Sequence, residues 1–164
     1  MKSIIVKLTI IFALLVITNP NTAEAHSPSR NSVGFVAGST YGFGIGYKHQ
    51  FHHSPFSLQV AGFPLVTEES ALITGGVSLQ FALHRGDYGS TFVSLGTSVV
   101  HESNRQISQH GRTIIMAGPG IGIEWLVHKN FGFVLDIPAA ALFDAHEGFK
   151  SILPIPNFTM MYTW

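Results

Sequence analysis

The stretch Ile155-Pro156-Asn157-Phe158-Thr159-Met160-Met161-Tyr162-Thr163-Trp164 decides the fold. Its side chains alternate between two faces. One face collects Phe158, Met160, Tyr162 and Trp164, and the other collects Asn157, Thr159, Met161 and Thr163. A repeat of two residues is that of a β-strand and not of a helix. The stretch therefore predicts a strand with one apolar, aromatic-rich face and one largely polar face.

The same alternation recurs along the chain and predicts seven further strands, at 32–38, 41–51, 56–66, 71–84, 90–100, 112–127 and 131–143. Most of them reach the length of about 9–11 residues that a tilted strand needs to cross a bilayer. In the second strand, glycine occupies every other position from Gly42 to Gly46. No helical pattern follows these glycines, so they do not form a dinucleotide-binding motif.

Composition narrows the class of protein. The chain has 164 residues, which suffices for one domain. Nine Lys and Arg residues balance nine Asp and Glu residues, so the formal net charge is zero and a nucleic-acid partner is not expected. Cysteine is absent. Small secreted domains often depend on disulfides, so this chain must be held together by other means.

The first residues have the pattern of a secretory signal peptide. An apolar run from Ile4 to Ile17 is followed by Ala23-Glu24-Ala25, a small-x-small cleavage site. The run falls short of the roughly 20 residues of a membrane-spanning helix, which makes an uncleaved anchor the weaker alternative. We predict a signal peptide over 1–25, a lead-in over 26–31 and a β-barrel over 32–164.

Together, the signal peptide and the closing strand resemble those of the small eight-stranded outer-membrane β-barrels of Gram-negative bacteria. The resemblance covers nearly all of 32–164. It implies an all-β, antiparallel, up-and-down transmembrane barrel in the bacterial outer membrane, surrounded by lipid and lipopolysaccharide. The alternating residues Phe158, Met160, Tyr162 and Trp164 resemble the signal that the barrel assembly machinery recognises. The implied role is structural or surface-interacting, without catalysis and without a cofactor.

An eight-stranded barrel has an interior just wide enough for side chains, so polar residues are expected to plug it. Lys48, Glu124 and Asp136 are predicted to face inwards near the same end of the barrel. A buried charge needs a partner. We therefore expect the two carboxylates to flank the Lys48 ammonium group. A narrow channel is an alternative function for the same interior.

The rival architecture is a soluble, lipocalin-like barrel with its aromatic side chains inside. Two features favour lipid outside instead. One of the two alternating sets is rich in Gly, Ser, Gln and Thr. Aromatic residues also concentrate near the predicted strand ends, where interfacial girdles form; they are Tyr41, Phe51, Phe56, Phe81, Trp125, Phe131, Tyr162 and Trp164.

The segment His101-Glu102-Ser103-Asn104 offers an enzymatic alternative. It resembles the His-x-Ser-Asn stretch of the outer-membrane lipid A 3-O-deacylases, in which a histidine activates a serine nucleophile. The resemblance implies His101, Ser103 and Glu102 as candidate catalytic residues. The family places this motif nearer its last strands. The next carboxylate here, Glu124, is predicted at the opposite end of the barrel.

Histidines and two loops complete the candidates. His49, His52 and His53 cluster at one predicted turn, with His84 and His128 at the same end of the barrel. Their spacing permits a metal site but does not require one, and polar histidines at a membrane interface are the favoured interpretation, so we assign no metal. Longer loops are predicted at 101–111 and 144–153. They are the expected contact surface for an extracellular partner.

Overall fold

The computed structural model describes residues 30–67, 69–86, 88–104, 111–128 and 130–164, so the predicted signal peptide lies outside the described residues. The strands are β1 (Arg30–Gly38), β2 (Gly42–Gln50), β3 (Phe56–Val66), β4 (Ser70–Gly86), β5 (Gly89–Asn104), β6 (Arg112–His128), β7 (Phe131–Asp144), β8 (Gly148–Pro154) and β9 (Asn157–Thr163). No helix within these ranges has the length and hydropathy needed to cross a membrane.

The strands close into a barrel. Sequential strands pair antiparallel from β1 to β7, and β9 pairs with both β7 and β1. The strands β8 and β9 form one continuous wall element, because they pair with β7 in the same register. Asp136 lies opposite Asn157, and Ala139 lies opposite Pro154. The protein is therefore an antiparallel, closed, eight-stranded β-barrel, which confirms the predicted fold.

Apolar and polar side chains separate as the alternation predicts. Ile45 and Leu95 are each 62% exposed on the outer face, whereas Gln59, Gln80 and Asp136 are buried inside. The lipocalin-like arrangement with its aromatic side chains inside does not describe this barrel, because most of the large apolar side chains of the described residues point outwards. Tyr41 is an exception: it was predicted to face outwards with Phe43, and it is buried.

The two ends of the barrel differ. Arg30 and Trp164 lie at what we call the terminal end, where the backbone of Asn31 and that of Trp164 exchange hydrogen bonds of 2.9 and 3.2 Å. The connection at 51–55 is at this end, together with the facing ends of β4 and β5 and of β6 and β7. The opposite end, which we call the loop end, carries the turn at 145–147, together with the facing ends of β3 and β4 and of β5 and β6.

The loop predicted at 144–153 is wrong, because residues 148–154 form β8. The turn itself is only 145–147, and Asp144 orders it by accepting hydrogen bonds from the backbone amides of His146 and Glu147, at 3.0 and 3.3 Å. Two features of the sequence prevented the prediction of this strand. Lys150 interrupts the alternation at a register shift, and Pro154 reads as a loop residue. Proline is tolerated here because β8 pairs on one side only.

The segment 101–104 was predicted to begin a loop, and this too is wrong. The strand β5 continues to Asn104, with His101 opposite Ile73 on one side and Thr113 on the other. The remaining part of the predicted loop, at 105–110, lies outside the described residues.

Candidate functional site in the barrel interior

The most unusual feature of the interior is the β1–β2 turn, Ser39-Thr40-Tyr41. All three residues are buried. The strands β1 and β2 are short, so the turn does not reach the loop end but folds into the barrel. The Ser98 hydroxyl donates to the Ser39 carbonyl, and the Thr74 hydroxyl donates to the Phe43 carbonyl. The predicted strands 32–38 and 41–51 leave only a short connection here, and the structure shows that this connection lies inside the lumen.

Asn157, the first residue of β9, fixes this turn. Its Oδ1 accepts hydrogen bonds from the Thr40 backbone amide at 3.2 Å and from the Ser39 hydroxyl at 3.3 Å. Its Nδ2 donates to Thr40 Oγ1 at 2.8 Å and to Asp136 Oδ2 at 3.0 Å. The Ser39 hydroxyl also reaches the Ile155 carbonyl at 3.0 Å. One buried amide therefore ties the turn to β7 and β9.

Glycines provide the room for the turn. A Cβ added at Gly76 would overlap with the backbone of Tyr41, and one at Gly96 would lie 2.9 Å from the Thr40 carbonyl oxygen. Both glycines belong to the inward-facing sets of β4 and β5, in line with Ser78 and Ser94. The turn therefore occupies space that side chains would otherwise fill.

Below the turn, towards the terminal end, polar side chains form a chain of hydrogen bonds. The Gln80 amide donates to the Tyr41 hydroxyl at 3.1 Å and to Gln59 Oε1 at 3.4 Å. Gln59 in turn donates to the Thr159 hydroxyl at 3.4 Å, and Ser57 donates to Gln80 Oε1 at 3.2 Å. Buried polar groups need such partners. The interior is thus packed with hydrogen-bonded side chains, as expected for the predicted polar plug.

The three predicted interior charges do not meet at one level. Lys48 Nζ and Glu124 Oε2 form an ion pair at 2.8 Å, and the Ser90 hydroxyl donates to the same oxygen at 3.3 Å. Asp136 lies deeper and accepts from Ser94 at 3.0 Å and from Asn157. The expected pairing of Lys48 with Glu124 is confirmed, and its pairing with Asp136 is wrong. The sequence places these residues on inward faces but does not give the strand stagger that sets their depth.

Near the terminal end the interior widens into a cavity of about 370 Å³, which we call the vestibule. It is lined by three cationic side chains, those of Arg30, Lys48 and Arg85, and by the carboxylate of Glu124. Arg85 also donates to the Ser54 carbonyl at 3.0 Å. Glu124 is 19% exposed, so the vestibule is not sealed. The ion pair therefore lies between the closed lumen and an open mouth.

Two of the three candidate catalytic residues face away from the lumen. His101 and Ser103 share the outer face of β5 with Leu95 and Val99, whereas Glu102 belongs to the inner face. His101 Nδ1 is 2.8 Å from the Thr113 hydroxyl. Among the hydrogen bonds of the described residues, none joins His101 to Ser103. The structure thus places the two residues on one face, but the imidazole bonds to threonine rather than to the serine.

The histidines at the terminal end contact neighbours individually. His49 Nδ1 is 2.9 Å from Asn31 Oδ1, and the rings of His52 and His53 are 3.7 Å apart. Across the described part of the chain, no group of three His, Asp or Glu residues is arranged to hold a metal ion.

The exposed residues Phe158, Met160, Tyr162 and Trp164 lie together on the outer face, with the rings of Tyr162 and Trp164 stacked at 6.5 Å.

Sequence reasoning missed the inserted turn and the central role of Asn157. One signal was available. Gly76 and Gly96 occupy inward positions on adjacent strands, as diagonal neighbours opposite Ser98 and Ser78 respectively. Glycines clustered on the inner face of neighbouring strands indicate that another part of the backbone approaches there.

Comparison with known proteins adds no relative. No protein-family model matches the sequence, and neither does any curated protein.

Proposed function

We propose that this protein is an integral barrel of the bacterial outer membrane with a structural or surface-interacting role. The observation that carries the proposal is the combination of a closed hydrogen-bonded wall, an apolar outer face and a hydrogen-bonded polar interior. In hydrocarbon an unpaired backbone amide costs several kcal/mol, which makes a closed barrel one of the two architectures that can cross a bilayer.

The outer surface supports this assignment. Exposed aliphatic and aromatic side chains cover the barrel, and Trp125, Phe131, Tyr162 and Trp164 gather at the terminal end. Trp and Tyr favour the membrane–water interface because they combine an apolar body with a polar tip. An apolar exterior of this extent would make a water-soluble monomer prone to aggregation.

The closed lumen favours a structural role over a channel. The buried turn 39–41 lies across the interior, and below it the hydrogen-bonded side chains of the described residues fill the lumen as far as the vestibule. Contacts with an extracellular partner would then fall to the loop end, at 105–111 and at the short turn 145–147. Lys150 and Glu147 form an ion pair beside that turn.

The experiment that tests the proposal is heat-modifiable gel migration of the full chain in an outer-membrane fraction. Folded barrels resist detergent at room temperature and migrate faster than the boiled, unfolded chain. We expect two bands that depend on boiling, in the membrane pellet. Recovery of the chain in the soluble periplasmic fraction, with a single band, would contradict the proposal.

A second candidate function is hydrolysis of lipid A acyl chains by His101 and Ser103. The observation that favours it is that both side chains lie on the outer face, where an outer-membrane lipid would contact them. The Thr113 hydroxyl holds the imidazole ring in place. Activation of Ser103 also requires the imidazole within hydrogen-bond reach of the serine hydroxyl, so His101 would have to exchange its Thr113 partner for Ser103 during the reaction.

Mass spectrometry of lipid A tests this candidate. Cells expressing the natural chain should lose one acyl chain from lipid A, and Ser103→Ala and His101→Ala should each restore the full mass. Thr97→Val is the matched control, because Thr97 is an exposed hydroxyl on the same face of the same strand. Unchanged lipid A in cells with the natural chain would reject the enzymatic function.

A further inference from the structure

The barrel wall is incomplete at the loop end. The strand β2 pairs with β3 only as far as Gly62, so Phe63–Val66 of β3 pair with β4 alone. The strand β8 pairs with β7 alone. Between these two free edges the wall contains only β1 and β2, which end at the inserted turn. The described residues therefore leave a notch in the wall, bounded by β3, β8 and the turn.

The notch is wide. Its edges are three strand spacings apart, because β2, β1 and the β8–β9 element follow β3 in order. At about 4.8 Å per spacing the opening measures roughly 14 Å around the barrel. An extended hydrocarbon chain is far narrower than this. The notch thus connects the outer face of the barrel with its interior above the turn.

Above the turn the inner face carries a belt of apolar side chains, unlike the polar interior below it. Leu65 faces inwards opposite Leu72, Val100 faces inwards opposite Ile114, and Met116 faces inwards opposite Leu142. These side chains are partly or largely exposed, with Leu65 at 48% and Leu153 of β8 at 44%. We call this concave surface the upper lumen. Charged residues border it on the inner face: Glu102 lies opposite Leu72, and Arg112 forms an ion pair with Asp144.

We propose that the upper lumen holds the acyl chain of a membrane lipid, which enters sideways through the notch. This inference rests on the proposed function, because it requires the outer face to lie in lipid. The described residues at the edges of the notch, Phe63–Val66 of β3 and 151–154 of β8, carry no charge, so the apolar outer face continues through the notch onto the upper lumen. The buried turn forms the floor of the upper lumen, so an acyl chain that enters cannot pass further towards the terminal end.

The edges of the notch suit contact with lipid. Pro64 lies on the free edge of β3, and Pro154 and Pro156 lie on or beside the free end of β8. Proline has no backbone N–H, so each one reduces by one the number of donors near this opening that need a hydrogen-bond partner. Three prolines at this opening lower the cost of exposing strand edges to acyl chains.

The natural methionines provide the experiment. Met160 is on the outer face, Met161 is buried inside, and Met116 is in the upper lumen. The full chain is labelled with ¹³C at its methionine methyl groups in an otherwise deuterated background. It is placed in phosphatidylcholine nanodiscs, and cross-peaks between methyl protons and lipid acyl protons are recorded. Leucine substitutions at Met116, Met160 and Met161 assign these three among the methyl signals of the chain's four methionines.

We expect acyl cross-peaks at Met116 and Met160 and none at Met161, with both sets lost in tail-deuterated lipid. The variant Val100→Lys places a charge in the upper lumen and should abolish the Met116 cross-peaks while Met160 keeps its own. Lipid contact at Met160 with only water or protein contact at Met116 would overturn this inference alone. Absence of lipid contact at Met160 would overturn the proposed function as well.

Discussion

Replacing Lys48 with methionine should lower the free energy of unfolding by about 3 kcal/mol. The substitution keeps an apolar stem of similar length but leaves the Glu124 carboxylate with the Ser90 hydroxyl as its remaining hydrogen-bond partner among the described residues. Breaking a buried ion pair by removing one member typically costs about 3–5 kcal/mol. Because Glu124 is partly exposed, we expect a loss at the lower end of this range. Urea titration of the barrel in lipid vesicles measures the change.

The double variant Lys48→Met/Glu124→Gln is the matched control. Removing both charges removes the uncompensated carboxylate, so the double variant should recover most of the loss. A loss in the double variant equal to the sum of the two single losses would show that the ion pair does not couple the two residues. The geometry at 2.8 Å would then have no energetic consequence.

Replacing Gly76 with alanine should lower the free energy of unfolding by about 2 kcal/mol, because the new methyl group would occupy the position of the Tyr41 backbone. Overpacking of a filled interior costs about 1–3 kcal/mol. The turn must shift, and its hydrogen bonds with Asn157 and Ser98 must lengthen. The same urea titration measures the loss.

Gly75→Ala is the control for this prediction. Gly75 neighbours Gly76 on β4, but a Cβ there would lie 3.8 Å from its nearest atom, the Ala61 carbonyl oxygen. This is ordinary contact, so the control should keep the natural stability. Asn157→Ala should reproduce the loss at Gly76 by removing the bonds that hold the turn. Equal stabilities of the Gly76 and Gly75 variants would show that the turn does not occupy the interior.

The fold could be predicted because it depends on a local property, the alternation of side chains along each strand. The alternation of Phe158, Met160 and Tyr162 predicts the outer face of β9 from the sequence alone, and the structure confirms it. The strand β8 could not be found in this way. Its alternation is interrupted at Lys150, and its pairing with β7 is what makes it a strand.

The interior was predictable in kind but not in arrangement. Inward positions at Lys48, Glu124 and Asp136 follow from the period of two. Their depths follow from the stagger between neighbouring strands, which no single strand encodes. Tyr41 was placed outside because it extends the alternation of β2. Its burial depends on contacts with distant residues, among them Gln80 and the glycine at position 76.

The central claim is that the outer face lies in lipid while the polar face is sealed within the cylinder. Because the chain contains no cysteine, single cysteines carrying spin labels can be introduced at Leu95 and Ile121 on the outer face and at Glu102 at the loop end. In lipid vesicles, the labels at Leu95 and Ile121 should be accessible to oxygen and shielded from a water-soluble nickel chelate, and the label at Glu102 should show the reverse. Collision of the chelate with the labels at Leu95 and Ile121 would contradict the account.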